Sequence, residues 1–168
     1  MNETELQDAL QQCSLHSLLM LVSKGLTRAG FGDVQILDRR ESGQKTRFGG
    51  HEILCQTTLG SLEATVVVKV INDAVRLRML DEMAGTVLRR RADAGIIVSP
   101  RHVTATAKKV QGTYRPCRIE VIDGAALAAL LSRYQIGVRG RGGVDYAFLS
   151  GLEEAGQRLR TFIRTHAV

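Results

Sequence analysis

Two strand-like runs, 51–58 and 63–71, the second dense in β-branched residues, flank Leu59-Gly60-Ser61-Leu62, and nothing else constrains the fold of this chain as strongly. A Gly-Ser centre in so short a gap predicts a two-residue hairpin loop. That loop sets a register in which Glu52 faces Lys69, Leu54 faces Val67 and Gln56 faces Thr65. Side chains alternate along a strand, so these six share one face and Ile53, Cys55, Val66, Val68 and Val70 share the other. One face therefore reads as buried aliphatic core. The other carries a carboxylate and an amine side by side.

Around this ribbon the periodicity switches to helical. Leu6, Leu10, Cys13, Leu18, Val22 and Leu26 predict one helix from Glu5 to about Ala29, ended by Gly30 and Gly32. Residues 34–37 read as a short strand, and 38–50, with Gly43, Gly49 and Gly50, as a loop. Asn72 or Asp73 is placed to cap a helix over 75–91, whose apolar stripe is Leu77, Leu80, Met83, Val87 and Leu88. Residues 95–99 form a short buried strand, reached by a right-handed parallel crossover. A helix over 103–110, a strand over 118–122, a turn at Asp123-Gly124 and a helix over 125–134 follow. Residues 138–143 read as a flexible basic linker, and Ser150 with Glu153 as the capping box of a last helix ending near Thr165, whose Leu149, Leu152, Leu159 and Phe162 need a dry surface on the core or on another chain. The predicted fold is α/β, a mixed central β-sheet of about five strands flanked by helices. Residues 1–137 form its core domain, and 138–168 the Gly/Arg linker and C-terminal helix.

At 168 residues the chain suits one domain with a sizeable core. It lacks an apolar run of membrane-spanning length and begins with an acidic, polar stretch, so a cytoplasmic location is expected. Cys13, Cys55 and Cys117 are an odd number without a C-x-x-C pair, which argues for buried structural thiols rather than a zinc site. A net charge of +6 and a pI near 9.7 suit a polyanionic partner such as nucleic acid, with solubility alone the competing explanation. With no Trp, three Tyr and four Phe there is little to stack bases on, so duplex or backbone contact is favoured over single strands.

The segment GGHEIL, the strand VVVKV and the runs AGIIVSPRHVTATAKK and CRIEVIDGAALAALL resemble, in order and spacing, successive motifs of the Mrr-type (type IV) restriction endonuclease family. The similarity spans about residues 15–135. It implies a restriction-endonuclease-like fold acting on duplex DNA. In that family an acid follows paired glycines, and about fifteen residues later a Glu/Gln-x-Lys stands on the next strand. The carboxylates hold a divalent metal, and the lysine positions or activates the attacking water. Glu52 stands at the acidic position after Gly49, Gly50 and His51, and Lys69 at the lysine. Val67 stands where Glu or Gln is expected.

The resemblance thus makes Glu52 the metal ligand and Lys69 the catalytic amine, with Mg²⁺ required if the site is active. The competing explanation of Glu52 and Lys69 is a plain cross-strand ion pair. Glu63, an acid of the first helix or His51 are the conceivable replacements for the missing ligand; by alternation His51 points to the apolar face. Arg101, His102 and Thr104, near a helix start, and Lys108 and Lys109 in the most basic stretch of the domain, are DNA-binding candidates, with ordinary capping the alternative for Thr104. Arg139 and Arg141 are candidates for a mobile arm on the phosphate backbone, while Arg89–Arg91 have a sufficient explanation in the helix dipole. Three functions compete: a metal-dependent endonuclease, a DNA-binding module that has lost cleavage, and a non-catalytic scaffold or partner-docking domain of a defence or mobile-element system. The intact lysine favours the first, and the valine favours the second. Cutting both strands by analogy implies a homodimer.

Overall fold

A computed structural model describes residues 3–37, 51–140 and 143–166, with side chains up to residue 158 other than that of Leu59. The predicted loop 38–50, with its glycines, lies outside the described residues, as do Arg141 and the side chains of Leu159 and Phe162. Five strands form one sheet in the order β1 (Gly32–Leu37), β2 (His51–Leu59), β3 (Leu62–Val70), β4 (Ala94–Val98), β5 (Arg118–Ile122). β1 to β3 are an antiparallel meander, and β3, β4 and β5 run parallel. The chain is an α/β fold with a mixed five-stranded sheet, as the periodicity predicts.

Helices cover both sheet faces. On one, α1 (Glu3–Gln12), α2 (Leu15–Arg28), α5 (Gly124–Arg133) and α6 (Tyr146–His166) enclose a core with Ile53, Cys55, Val66, Val68 and Val70. On the other, α3 (Leu77–Arg90) and the short α4 (Ala105–Val110) pack through Met79, Leu80, Met83, Val87 and Ala107 onto Val67, Ile97 and Ile119. All three cysteines are buried and unbridged.

Local chemistry explains where the elements depart from expectation. The single N-terminal helix is two, because the Ser14 side chain accepts from Ser17 N–H and starts a new helix at Leu15. Neither Asn72 nor Asp73 caps α3. Val75 is drawn into a parallel bridge with Val103, which delays the helix to Leu77. Leu88 leaves the buried stripe and is 61% exposed. Ser150 and Glu153 form no capping box: Asp145 accepts from Phe148 N–H, and Glu153 instead accepts from Ser14 N–H at 2.6 Å, tying α6 to the start of α2. The stretch read as a linker carries a Val138–Val144 antiparallel bridge, and Val144 and Leu149 are buried in the first core. Among the described residues no helix is long and apolar enough to cross a membrane.

Candidate active site

β2 and β3 pair in the register that the loop predicts, with Gly60 at φ 63° and Glu52 opposite Lys69, Leu54 opposite Val67 and Gln56 opposite Thr65. Their face is roofed by α3, so Glu52 is 5% exposed and Lys69 3%. Charged groups this far from water need partners. Both find them on α3 rather than across the ribbon. Arg90 Nη2 donates to Glu52 Oε2 at 3.2 Å, and Lys69 Nζ stands 3.7 Å from Glu82 Oε2. The direct cross-strand ion pair is therefore replaced by two strand-to-helix pairs. Arg78 Nε lies 3.7 Å from the other oxygen of Glu82. Glu52 with Arg90, and Lys69 with Glu82 and Arg78, thus form two ion-pair groups between the ribbon and α3.

The position of Val67 explains why this helix reaches the site. Val67 is fully buried among the apolar residues of α3, one strand step below the Lys69 side chain. Gly95 pairs with Val67 on the neighbouring strand, and a Cβ there would stand 2.7 Å from Val87 Cγ2 and 2.8 Å from Met83 Cε. Glycine lets α3 settle directly on the sheet at that level. Asp81, exposed on α3, accepts from the Tyr114 hydroxyl at 2.6 Å and adds a second tether; burial, and then this carboxylate, push the Tyr114 pKa up to about 12. Glu82, next along the helix, is carried to Lys69.

The donor set bears on a divalent ion through one atom. Glu52 Oε1 is buried and has no hydrogen-bond partner among the described residues. An unsatisfied buried carboxylate oxygen is costly, and it is also an open ligand. No cluster of three or more His, Cys, Asp or Glu with metal-binding geometry occurs among the described residues. Mg²⁺ does not need one, since it is commonly held by one or two carboxylates with water and substrate phosphate completing the shell. The residues present fit such a group.

Other predicted residues spread more widely. Glu63 pairs with Thr58 at the exposed hairpin end, about 20 Å along the strand from Lys69 at ~3.3 Å per residue, and is no substitute ligand. His51 pairs with Val70 on the opposite face. Arg101, His102 and Thr104 lie in the loop beyond the carboxyl end of β4, stitched to the loop after β3 by Val75 N–H to His102 O and Thr104 N–H to Val75 O, both 2.9 Å. That is the end of the sheet on which Lys69 lies. Thr104 caps α4 in the ordinary way, accepting from Ala107 N–H. Lys108 and Lys109 are exposed on the last turn of α4, which descends toward the start of β5. Arg139 stands 3.6 Å from Asp145 in the opposite layer. Sequence reasoning missed Glu82, Arg78 and Arg90. The only signal was charged residues on the flanks of the α3 stripe, which reads as a solvated face. A cleft of about 530 Å³ lined by Lys24, Arg28, Ile36 and Phe148 lies in the α2 and α6 layer. Its Asp145 already faces Arg139, and it holds no carboxylate–amine pair like that beneath α3.

Residues 10–131 match the model of the Mrr_cat family, described as restriction endonuclease. The chain belongs to this restriction endonuclease family. Among solved structures it is similar to the DNA modification-dependent restriction endonuclease AspBHI, with a TM-score of 0.63, 11% identity and 91% of this chain covered. It is also similar to the MspJI restriction endonuclease in complex with a 27-mer oligonucleotide, with a TM-score of 0.55, 18% identity and 90% covered. At these identities the likeness establishes the restriction-endonuclease-like fold. The aligned parts make up 40% and 34% of those two chains, so the present chain corresponds to well under half of either. No functionally curated protein matches the sequence.

Proposed function

We propose that this Mrr_cat chain is a divalent-metal-dependent endodeoxyribonuclease domain acting on duplex DNA, with Glu52 as metal ligand and Lys69 as the amine that positions or activates the attacking water. The observation that carries this reading is the buried pair itself. A restriction endonuclease family member sets a carboxylate and an ammonium in cross-strand register, nine-tenths buried, with one carboxylate oxygen left unpartnered among the described residues. A bound Mg²⁺ supplies a more acidic water and neutralises charge developing on the phosphate. The protein's own part is positional. Arg90 fixes Glu52 by one oxygen and leaves the other open, and Glu82 holds the Lys69 ammonium at the mouth of the site. Arg76, Arg78, Arg101 and His102, at the same end of the sheet, offer charge to the backbone of a duplex. Lys108 and Lys109, exposed on α4, extend this contact surface in the proposal, while Arg139 and Arg141 are proposed as separate contacts to the phosphate backbone. Both-strand cleavage calls for two such sites, supplied by two copies.

A second reading, duplex binding without cleavage, is favoured by one observation: Val67 is sealed in the apolar core where the family pattern has a chelating side chain. Supercoiled plasmid separates the two. With Mg²⁺ or Mn²⁺ the wild type is expected to nick, and Lys69→Ala to lose at least ~100-fold in rate, the scale of a lost acid–base group. Duplex binding without nicking establishes the second reading. Nicking that survives Lys69→Ala removes the lysine from the chemistry.

A further inference from the structure

The deepest question at this site is what replaces the chelating side chain absent from position 67. We propose that Glu82 on α3 supplies the second carboxylate of the cation site, so that the metal is held between a strand residue and a helix residue. This rests on the nuclease reading above and adds to it a ligand that β3 does not provide.

Three observations converge on Glu82. Its Oε2 is 3.7 Å from Lys69 Nζ, so it borders the same ammonium that Glu52 faces across the ribbon. Its ion-pair contacts with Lys69 and Arg78 are both 3.7 Å long, beyond hydrogen-bond range, and among the described residues no hydrogen bond otherwise commits either oxygen. Its side chain is 29% exposed, so the carboxylate sits at the boundary between the buried pair and solvent, where a hydrated ion enters. An independent observation points to a ligand here: Glu52 Oε1, on a side chain 95% buried, has no hydrogen-bond partner among the described residues, while Arg90 occupies only Oε2.

Lys69 and Arg78 border Glu82 while Arg90 borders Glu52, and Arg78 is 57% exposed. Its ion pair with Glu82 is of the solvent-screened kind that contributes little, so it commits that carboxylate only weakly. Val67 then has a consistent role: an apolar side chain beneath α3 holds that helix down, and with it Glu82.

Metal binding decides this without recourse to cleavage. Metal-free protein is titrated with Mn²⁺, alone and with a duplex oligonucleotide, and free Mn²⁺ is followed by electron paramagnetic resonance. Wild type is expected to bind one Mn²⁺ per chain. Glu82→Gln and Glu52→Gln should each weaken binding at least about tenfold, while Glu63→Gln leaves it unchanged. Thermal unfolding and duplex affinity of each variant establish that it is folded. Should Glu82→Gln not fold, Glu82→Asp, which keeps the charge one methylene short, should show intermediate affinity. If Glu82→Gln binds Mn²⁺ like wild type while Glu52→Gln does not, Glu82 is only the counter-ion of Lys69, and the nuclease reading survives without this ligand. If wild type binds no Mn²⁺ under either condition, both fail together.

Discussion

Side chains alternate along a strand, so moving the hairpin loop by one residue would put Lys69 in the layer with α2 and α5 and Val68 under α3. The register around Gly60-Ser61 is thus a statement about chemistry as well as folding, and it was legible in the sequence because glycine and β-branched runs report turn and strand directly. Val67 is where residue identity decides most. Placing a carboxylate in its fully buried position without compensation costs on the order of 3 kcal/mol or more, so Val67→Glu should lower the denaturation midpoint sharply in metal-free buffer. An unchanged midpoint would show that the position is not core. The thiols give a pH test. Burial pushes Cys13 and Cys55 up to about 11, against an ordinary value near 8.5. The protonated thiols favour the fold, so their contribution is complete below about pH 8.5 and is lost as pH rises through about 11. Alkylation at pH 8 should be slow in the native protein and fast in urea. Rapid native labelling of Cys55 would contradict its burial.

What the sequence hid at the level of elements is how α3 meets the sheet. Its amphipathic stripe was readable, but its rotation over Lys69 depends on Gly95 leaving room and on Val75 pairing with Val103, both of them non-local. Glu82 and Arg90 therefore read as solvated charges, and only packing reveals them as partners of buried groups. Gly95→Val tests this linkage. The added side chain meets Val87 and Met83, and overpacking of this kind costs about 1–3 kcal/mol. The variant should remain folded, with reduced stability and a larger proportional loss of nicking than of duplex binding. Equal losses would mean that the helix position does not govern the site. The helix starts were misread for a related reason: Ser14 and Asp145 act as caps, and Glu153 is drawn away from its own helix to Ser14.

The whole molecule carries a net charge of +6 and presents Arg76, Arg78, Arg101 and His102 at the end of the sheet where the buried pair lies. A duplex lying across that end releases counterions for each phosphate contacted, so affinity should fall steeply between about 50 and 200 mM salt. Arg76→Ala with Arg101→Ala should flatten the slope, and an unchanged slope would place the DNA elsewhere. The overall architecture was recoverable because five strands and their helices follow simple periodicities. The site was recoverable only on its strand half. The most direct test of the account is a crystal soaked in Mn²⁺ with its anomalous scattering mapped: the prediction is a peak in ligating contact with Glu52 Oε1, beside the Lys69 ammonium. A Mn²⁺ peak that avoids Glu52 would contradict it.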